Sequence, residues 1–376
     1  MYIITFLASF VNTLRCYSSG QIRIICYNDP KWWLKEPPSF LLREVIIVKE
    51  KIVHFSDDTV LNADNLALVT DLTSGFSQEE ASQLGFDLVT FPVSYNHDGK
   101  VIEYEGGNEE PDDFYAQLAD EKTTGAKTGS SIKDFIRIFE SRLEESKLVV
   151  YLGASESLSE GMRNSALTAQ QTLCEQRPDL NAEENVLVLQ THCIAGGLGL
   201  SLRMLRAWLD EKPRTVKELK DKVGFFGDHV AHMFTLFSYG YMKRSGRFAS
   251  TAQKLKIGLA NTLGIYNVMI SPRVGKLQPN WKTVRGEKHL LEAFVDIYAH
   301  DAIDPENGTV EIDYSGPSNE EFVAYRKAHE LCDMLRERFP NVKIILAQTS
   351  PSVGCHVGPD EISFFFLQKN VREDIE

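Results

Sequence analysis

Residues 350–366 read SPSVGCHVGPDEISFFF, which sets one imidazole, His356, among small residues and just ahead of two carboxylates, Asp360 and Glu361. Ser352, Gly354, Cys355, Gly358 and Pro359 flank the ring. Glycines let a backbone or a ligand approach closely, so His356 is expected on a tight turn before a strand, as a binding group. Three hydroxyl-rich stretches could share a ligand with it: VTDLTS (69–74), AKTGSS (126–131) and LGASESLSEG (152–161). Hydroxyls and backbone N–H groups at helix N-termini are donors for an anion. The same serines and threonines also serve as ordinary helix N-caps, and the residues alone leave both open. An imidazole and hydroxyls converging on an anion make either a carboxylate clamp or a Ser–His hydrolase. The hydrolase needs its nucleophile on a strained elbow such as GxSxG, and no such elbow occurs. A binding site is therefore expected, with a Ser/His acyl hydrolase or acyltransferase on the same scaffold as the alternative.

Other motifs are incomplete. GAKTG carries Ala126 where a phosphate loop needs glycine before the lysine. In VLVLQTHCIAGGLGLS, Gly197 and Gly199 follow a strand, but Leu202 stands at the third glycine of a dinucleotide fingerprint and no ribose-binding acid follows. No cofactor is expected. The six cysteines form no CxxC pair, and Cys174, Cys193, Cys332 and Cys355 sit among apolar or small residues, as buried thiols of a reducing cytoplasm do. The nine histidines do not cluster with them at ligand spacing, so no metal is expected either.

The chain that must position these groups has 376 residues, 43% hydrophobic and 25% charged, enough for two domains of a soluble globular protein. Its formal charge of −13 argues against nucleic acid or an anionic membrane as partner. MYIITFLASFVNTLRC is apolar, but it lacks a basic start and is too short to span a bilayer, so neither export nor membrane insertion is expected. QIRIICY (21–27) alternates like a strand, DPKWWLKEPPSF interrupts it, and REVIIVKEKIVHF (43–55) suggests a hairpin turning at 49–51.

From Leu66 the grammar is strand, loop, helix. LALVT (66–70), DLVTFPVSY (87–95), KLVVYLGAS (147–155) and NVLVLQT (185–191) read as strands. SIKDFIRIFESRLEES (131–146), GMRNSALTAQQTLCEQ (161–176) and LGLSLRMLRAWLDE (198–211) read as helices. Apolar strands alternating with amphipathic helices mean a parallel sheet covered on both faces, with ligands beyond the carboxyl ends of its strands. Beyond a boundary near Gly224, HVAHMFTLF (229–237) and YNVMISPRVGKLQPNWKTV (266–284) read as strands, with a turn at Gly275-Lys276. Helices at 286–301 and 319–339 and a strand at 342–350 complete a second α/β layer with hairpin content.

Five stretches, LVTDLTS, KTGSS, LGASESLSEGMRNSA, YMKRSGRFAS and SVGCHVGP, together resemble the DegV family in their order and distances, over about residues 66–370. Members of that family are the fatty-acid-binding components of bacterial fatty acid kinase. The resemblance implies a two-domain DegV-like α/β fold: an N-terminal parallel-sheet domain over 66–224 and a C-terminal α/β domain over 225–376; residues 1–65 fall outside it and read as an extension of weak strands. It implies one long-chain fatty acid, its acyl chain in an apolar tunnel and its carboxylate held by Thr128 and Ser130 of KTGSS, Ser155 or Ser157 of GASESLS, and His356. Arg247 in KRSGR, beside Lys243 and Arg244, matches a basic loop that would meet the kinase. The protein itself would be no catalyst; a separate ATP-dependent kinase would phosphorylate the bound carboxylate for phospholipid synthesis. The chain departs from the family in GPDEIS, where members run GPGALG, in Leu72 for a serine, and in Gln190-Thr191 for Asp-Ser. A carboxylate inside the site would repel a fatty acid's own, so Asp360 and Glu361 are expected to point to solvent.

Overall fold

In the computed structural model, residues 13–18, 21–26, 54–105, 111–129, 131–241, 263–274 and 278–374 are described. The chain divides into two compact units, Met1–Ile52 and Val53–Glu376. In the first, strands Thr13–Ser18 and Gln21–Cys26 pair as an antiparallel hairpin. The hairpin expected to turn at 49–51 and the turn at Gly275-Lys276 lie outside the described residues.

The apolar runs of the first half form a parallel sheet in the order Val186–Gln190, Leu148–Gly153, Leu66–Asp71, Phe86–Val89. Every residue of Leu148–Gly153 is buried, as a central strand covered on both faces requires. Helices Ile132–Glu144 and Glu160–Gln176 pack on each other and on this strand. Helix Val216–His229 starts on a capping box, in which Thr215 and Glu218 each satisfy the other's backbone N–H. It runs through Gly224 and directly into strand Val230–Leu236, the first of a second sheet.

That sheet has six strands in the order Gln278–Arg285, Ile265–Ile270, Val230–Leu236, Glu361–Leu367, Thr309–Ser315, Lys343–Gln348. Its pairs are antiparallel except Thr309–Ser315 with Lys343–Gln348. Period-two alternation separates its faces. Ala231, Met233, Val310, Ile312, Ile362, Phe364 and Phe366 share a core with helices Glu287–Asp301 and Val323–Arg338. The core of the first half is a separate cluster.

A third, antiparallel sheet orders Lys100–Glu105, Pro92–His97 and Thr123–Thr128. Its hairpin turns at Asp98 and Gly99, with φ of 51° and 77°, the positive values that a two-residue hairpin turn demands. The single strand expected over 87–95 is thus two. Phe86–Val89 stays in the parallel sheet, and Pro92, which has no N–H for a central ladder, opens the next. AKTGSS accordingly does not follow a parallel strand; Ala126 to Thr128 end an antiparallel one. Among the described residues no helix is long and apolar enough to cross a membrane.

Candidate ligand site

His356 lies on the last turn of a short helix, Pro351–Val357, and not on the tight turn expected from its glycines. Pro351 opens the helix, where its missing N–H costs nothing. Gly358, at φ 81°, closes it and hands the chain to strand Glu361–Leu367. The glycines make room for two tyrosines. A Cβ at Gly354 would lie 2.0 Å from the Tyr115 hydroxyl, and one at Gly358 would lie 2.3 Å from the Tyr241 ring. Tyr115 donates to the Thr349 carbonyl at 2.6 Å, and Tyr241 to the Cys355 carbonyl at 2.7 Å. Ser350 and Ser352 anchor the other end by donating to the Leu72 carbonyl at 3.0 and 2.9 Å. Gly354→Ala is expected to destabilise the fold by about 1–3 kcal/mol through overpacking against Tyr115. Thermal unfolding checks this; an unchanged midpoint would mean that Tyr115 can move aside.

The serine loop follows strand Leu148–Gly153. Ser155 is buried, and its N–H donates to the Cys193 carbonyl at 2.7 Å. Its Oγ is 2.9 Å from Ser157 Oγ, and Ser157 itself is exposed. Thr128 is exposed at the end of its strand, which packs against the histidine helix. Ser130 and Arg247, with Lys243 and Arg244, lie outside the described residues. The stretch 69–74 serves as a cap: Asp71 accepts from the Thr73 N–H at 2.7 Å, and Ser74 donates to the Asp71 carbonyl at 2.7 Å.

A cavity of ≈ 220 Å³ lies between the serine loop and the histidine helix; of the described residues expected to hold a carboxylate, His356 lines it and Thr128, Ser155 and Ser157 do not. Leu158 of the serine loop, Ile194 and Ala195 form one wall, and Val353, His356 and Val357 of the histidine helix form another. Beneath lie Phe234, His232, Glu361 and Ser363, on the sheet face opposite the helices. The strand register puts them there: Phe234 pairs with Ser363, and His232 with Phe365. His356 is half-buried, whereas Glu361 is only 2% exposed. Glu361 therefore does not point to solvent as expected, and Asp360, at φ 69°, is half-buried as well. The register leaves no choice, because Ser315 opposite Glu361 fixes which face the side chain takes.

Burial pushes the Glu361 carboxyl up to about 8; the Ser363 hydroxyl pulls it back and the charge of Asp313 adds to the rise. Burial also pulls His232 down to about 3, helped by the Arg372 charge. Burial favours the uncharged form of both, so Glu361 repels an anion less than a solvent-exposed carboxylate would. Neither His232 nor Ser363 was singled out from sequence. The available signal was a histidine inside VAHMFTL, a strand buried at every position.

The Gly-rich turn after Val186–Gln190 serves packing. The Gly196 N–H donates to Asp313 Oδ2 at 2.7 Å, and a Cβ there would lie 2.7 Å from that carboxylate. The turn lets helix Gly196–Glu211 lie directly on the second sheet. Among the described residues no three His, Cys, Asp or Glu side chains gather to hold a metal ion.

Several solved structures share this fold. A DegV family protein of Thermus thermophilus, whose structure is described as showing fatty acid binding, superposes with a TM-score of 0.63 at 22% identity, over 81% of this chain and 99% of that one. A stearic-acid-binding protein of Eubacterium ventriosum gives a TM-score of 0.64 at 20% identity, over 81% and 98%. The B3 protein of Streptococcus pneumoniae fatty acid kinase, loaded with linoleic acid, gives 0.60 at 18% identity, over 81% and 99%. In sequence, a DegV domain-containing protein of Clostridium perfringens is 26% identical over 257 residues, 68% of this chain and 82% of that protein. The profile of the family described as "Uncharacterised protein, DegV family" matches residues 65–369, and the chain belongs to the DegV family.

Proposed function

We propose that this protein binds one long-chain fatty acid and presents its carboxylate to a separate ATP-dependent kinase, which forms the acyl phosphate in the cytoplasm. The observation that carries this is the cavity, with apolar walls of Leu158, Ile194, Val353, Val357 and Phe234 and with half-buried His356 among its lining. Each CH₂ transferred into such walls gains about 0.8 kcal/mol, so an acyl chain of ordinary length holds firmly. The fatty acids bound by the Thermus, Eubacterium and Streptococcus relatives support the same ligand class here. The carboxylate would be held by His356, Thr128, Ser130 and Ser155 or Ser157. These uncharged donors orient the group without an ion pair and leave it open to phosphoryl transfer, where positioning and electrostatics supply most of the catalysis. On this proposal the division near Gly224, into halves 66–224 and 225–376, gives each half one wall of the site.

Titration calorimetry of the delipidated protein with octadecanoic acid tests the anchor. Thr128→Val and His356→Ala should each weaken binding by on the order of 1–3 kcal/mol, because the carboxylate loses a donor. Unchanged affinity in both would move the head group elsewhere.

The kinase contact is proposed on the basic run Lys243, Arg244 and Arg247 of an otherwise acidic chain. Arginine suits bidentate contact with phosphate or carboxylate. Arg247→Ala should leave octadecanoic acid binding intact but depress acyl-phosphate formation with kinase and ATP, with a deficit that salt enlarges. Turnover equal to the parent's would remove Arg247 from the interface.

A further inference from the structure

The floor of the cavity is too polar for a plain hydrocarbon. Ser363 Oγ donates to Glu361 Oε1 and stands 3.4 Å from His232 Nε2, which links the three side chains in a row. His232 is 9% exposed and packed against the rings of Phe234 and Phe365, at 5.3 and 4.6 Å between centroids. Its Nδ1 is buried without a hydrogen-bond partner among the described residues. A methylene chain laid across this row would offer the lining side chains of His232, Ser363 and Glu361 no hydrogen bond in a dry site. Buried polar groups without partners are costly, and a site built to hydrogen-bond one ligand group discriminates against the analogue that lacks it.

We propose that the preferred ligand is a hydroxylated long-chain fatty acid, its chain hydroxyl seated against Glu361, Ser363 and His232. This rests on the fatty-acid assignment above and adds the chemical class. A hydroxyl both donates and accepts, so it suits either tautomer of a neutral imidazole and a carboxyl that burial holds toward its protonated form. A keto group could only accept. Among the described residues the cavity lining offers a second carboxylate no Lys or Arg, and nearby Arg372 is committed to backbone carbonyls including those of Ser271 and Pro272. The geometry is not that of a Ser–His nucleophile either, because Glu361 bonds to the serine and not to the far nitrogen of the histidine that a catalytic acid would orient.

The experiment is calorimetry of the delipidated full chain with octadecanoic acid and with a set of hydroxyoctadecanoic acids that differ only in hydroxyl position. One isomer, or two adjacent ones, should bind at least about tenfold more tightly than octadecanoic acid, since only a hydroxyl at the right depth meets the row. Glu361→Ala and, separately, Ser363→Ala should bring the two classes within about twofold. Should both variants fail to fold, the comparison on the parent protein decides alone. Octadecanoic acid binding as tightly as every isomer would overturn the hydroxyl proposal and leave the fatty-acid assignment standing. If neither class binds, both fall. Labelling of Ser363 by a fluorophosphonate would overturn the proposal in favour of a nucleophilic serine.

Discussion

Arg203→Ala is expected to destabilise the protein by about 3–5 kcal/mol, the cost of leaving a buried carboxylate without its cation. Arg203 projects from helix Gly196–Glu211 and binds Glu311 of the second sheet through Nη1, at 2.9 and 2.7 Å to the two oxygens. Its Nε and Nη2 bind Glu80 Oε1 on the short helix Gln78–Gln83 at 3.1 and 2.5 Å, and its guanidinium covers the Phe76 ring at 4.8 Å. One side chain thus ties the first half to the second. Glu311 is 2% exposed, so water cannot replace the arginine. Denaturant unfolding of the single variant, and of Arg203→Ala with Glu311→Gln, checks this. The double variant should recover part of the loss, because the stranded charge is gone. A loss under about 1 kcal/mol in the single variant, the size expected for an exposed pair, would show that Glu311 is not buried as described.

Stability should fall as pH rises from about 5 to about 8, an effect that Glu361→Gln should reduce. In the folded protein burial raises Glu361 from 4.5 to about 8, and burial raises Asp313 as well. Between the unfolded and folded values the native state holds protons that the unfolded chain has lost. Stability is therefore fully present below about 4 and declines as each group is forced to ionise. The total for Glu361 is on the order of a few kcal/mol. Glutamine keeps the shape and a donor without titrating, so the variant should lose much of the slope while Asp313 retains its part. Unfolding midpoints at intervals from pH 5 to pH 8 read the effect. Parallel profiles for parent and variant would show that Glu361 ionises normally and meets water.

What sequence revealed, and what it hid, follows from which residues the buried face uses. Leu148–Gly153 and Leu66–Asp71 were legible because central parallel strands are apolar on both faces. Thr309–Ser315 was not, since Glu311 and Asp313 occupy its alternate positions and look like a solvated face, although both are buried. Arg203 and the Gly196 N–H, which satisfy them, come from a helix more than a hundred positions away. The antiparallel sheet around Pro92–His97 was also missed, although Asp98-Gly99 between alternating residues is a strong hairpin signal. At the site, SVGCHVGP pointed to His356, but its glycines fit Tyr115 and Tyr241, contacts that no local pattern encodes. Glu361 stood out as a departure from GPGALG. Its direction depended on the register with Thr309–Ser315, the strand that was not seen.

The central claim is that the cavity beside His356 holds a fatty acid. Native mass spectrometry of the protein purified from cells, followed by the same measurement after denaturation, tests it most directly. The native mass should exceed that of the chain by one long-chain fatty acid, a hydroxylated one if the polar row at the cavity floor selects it, with the addition lost on denaturation. A native mass equal to the bare chain, together with no uptake of octadecanoic or hydroxyoctadecanoic acid, would contradict it.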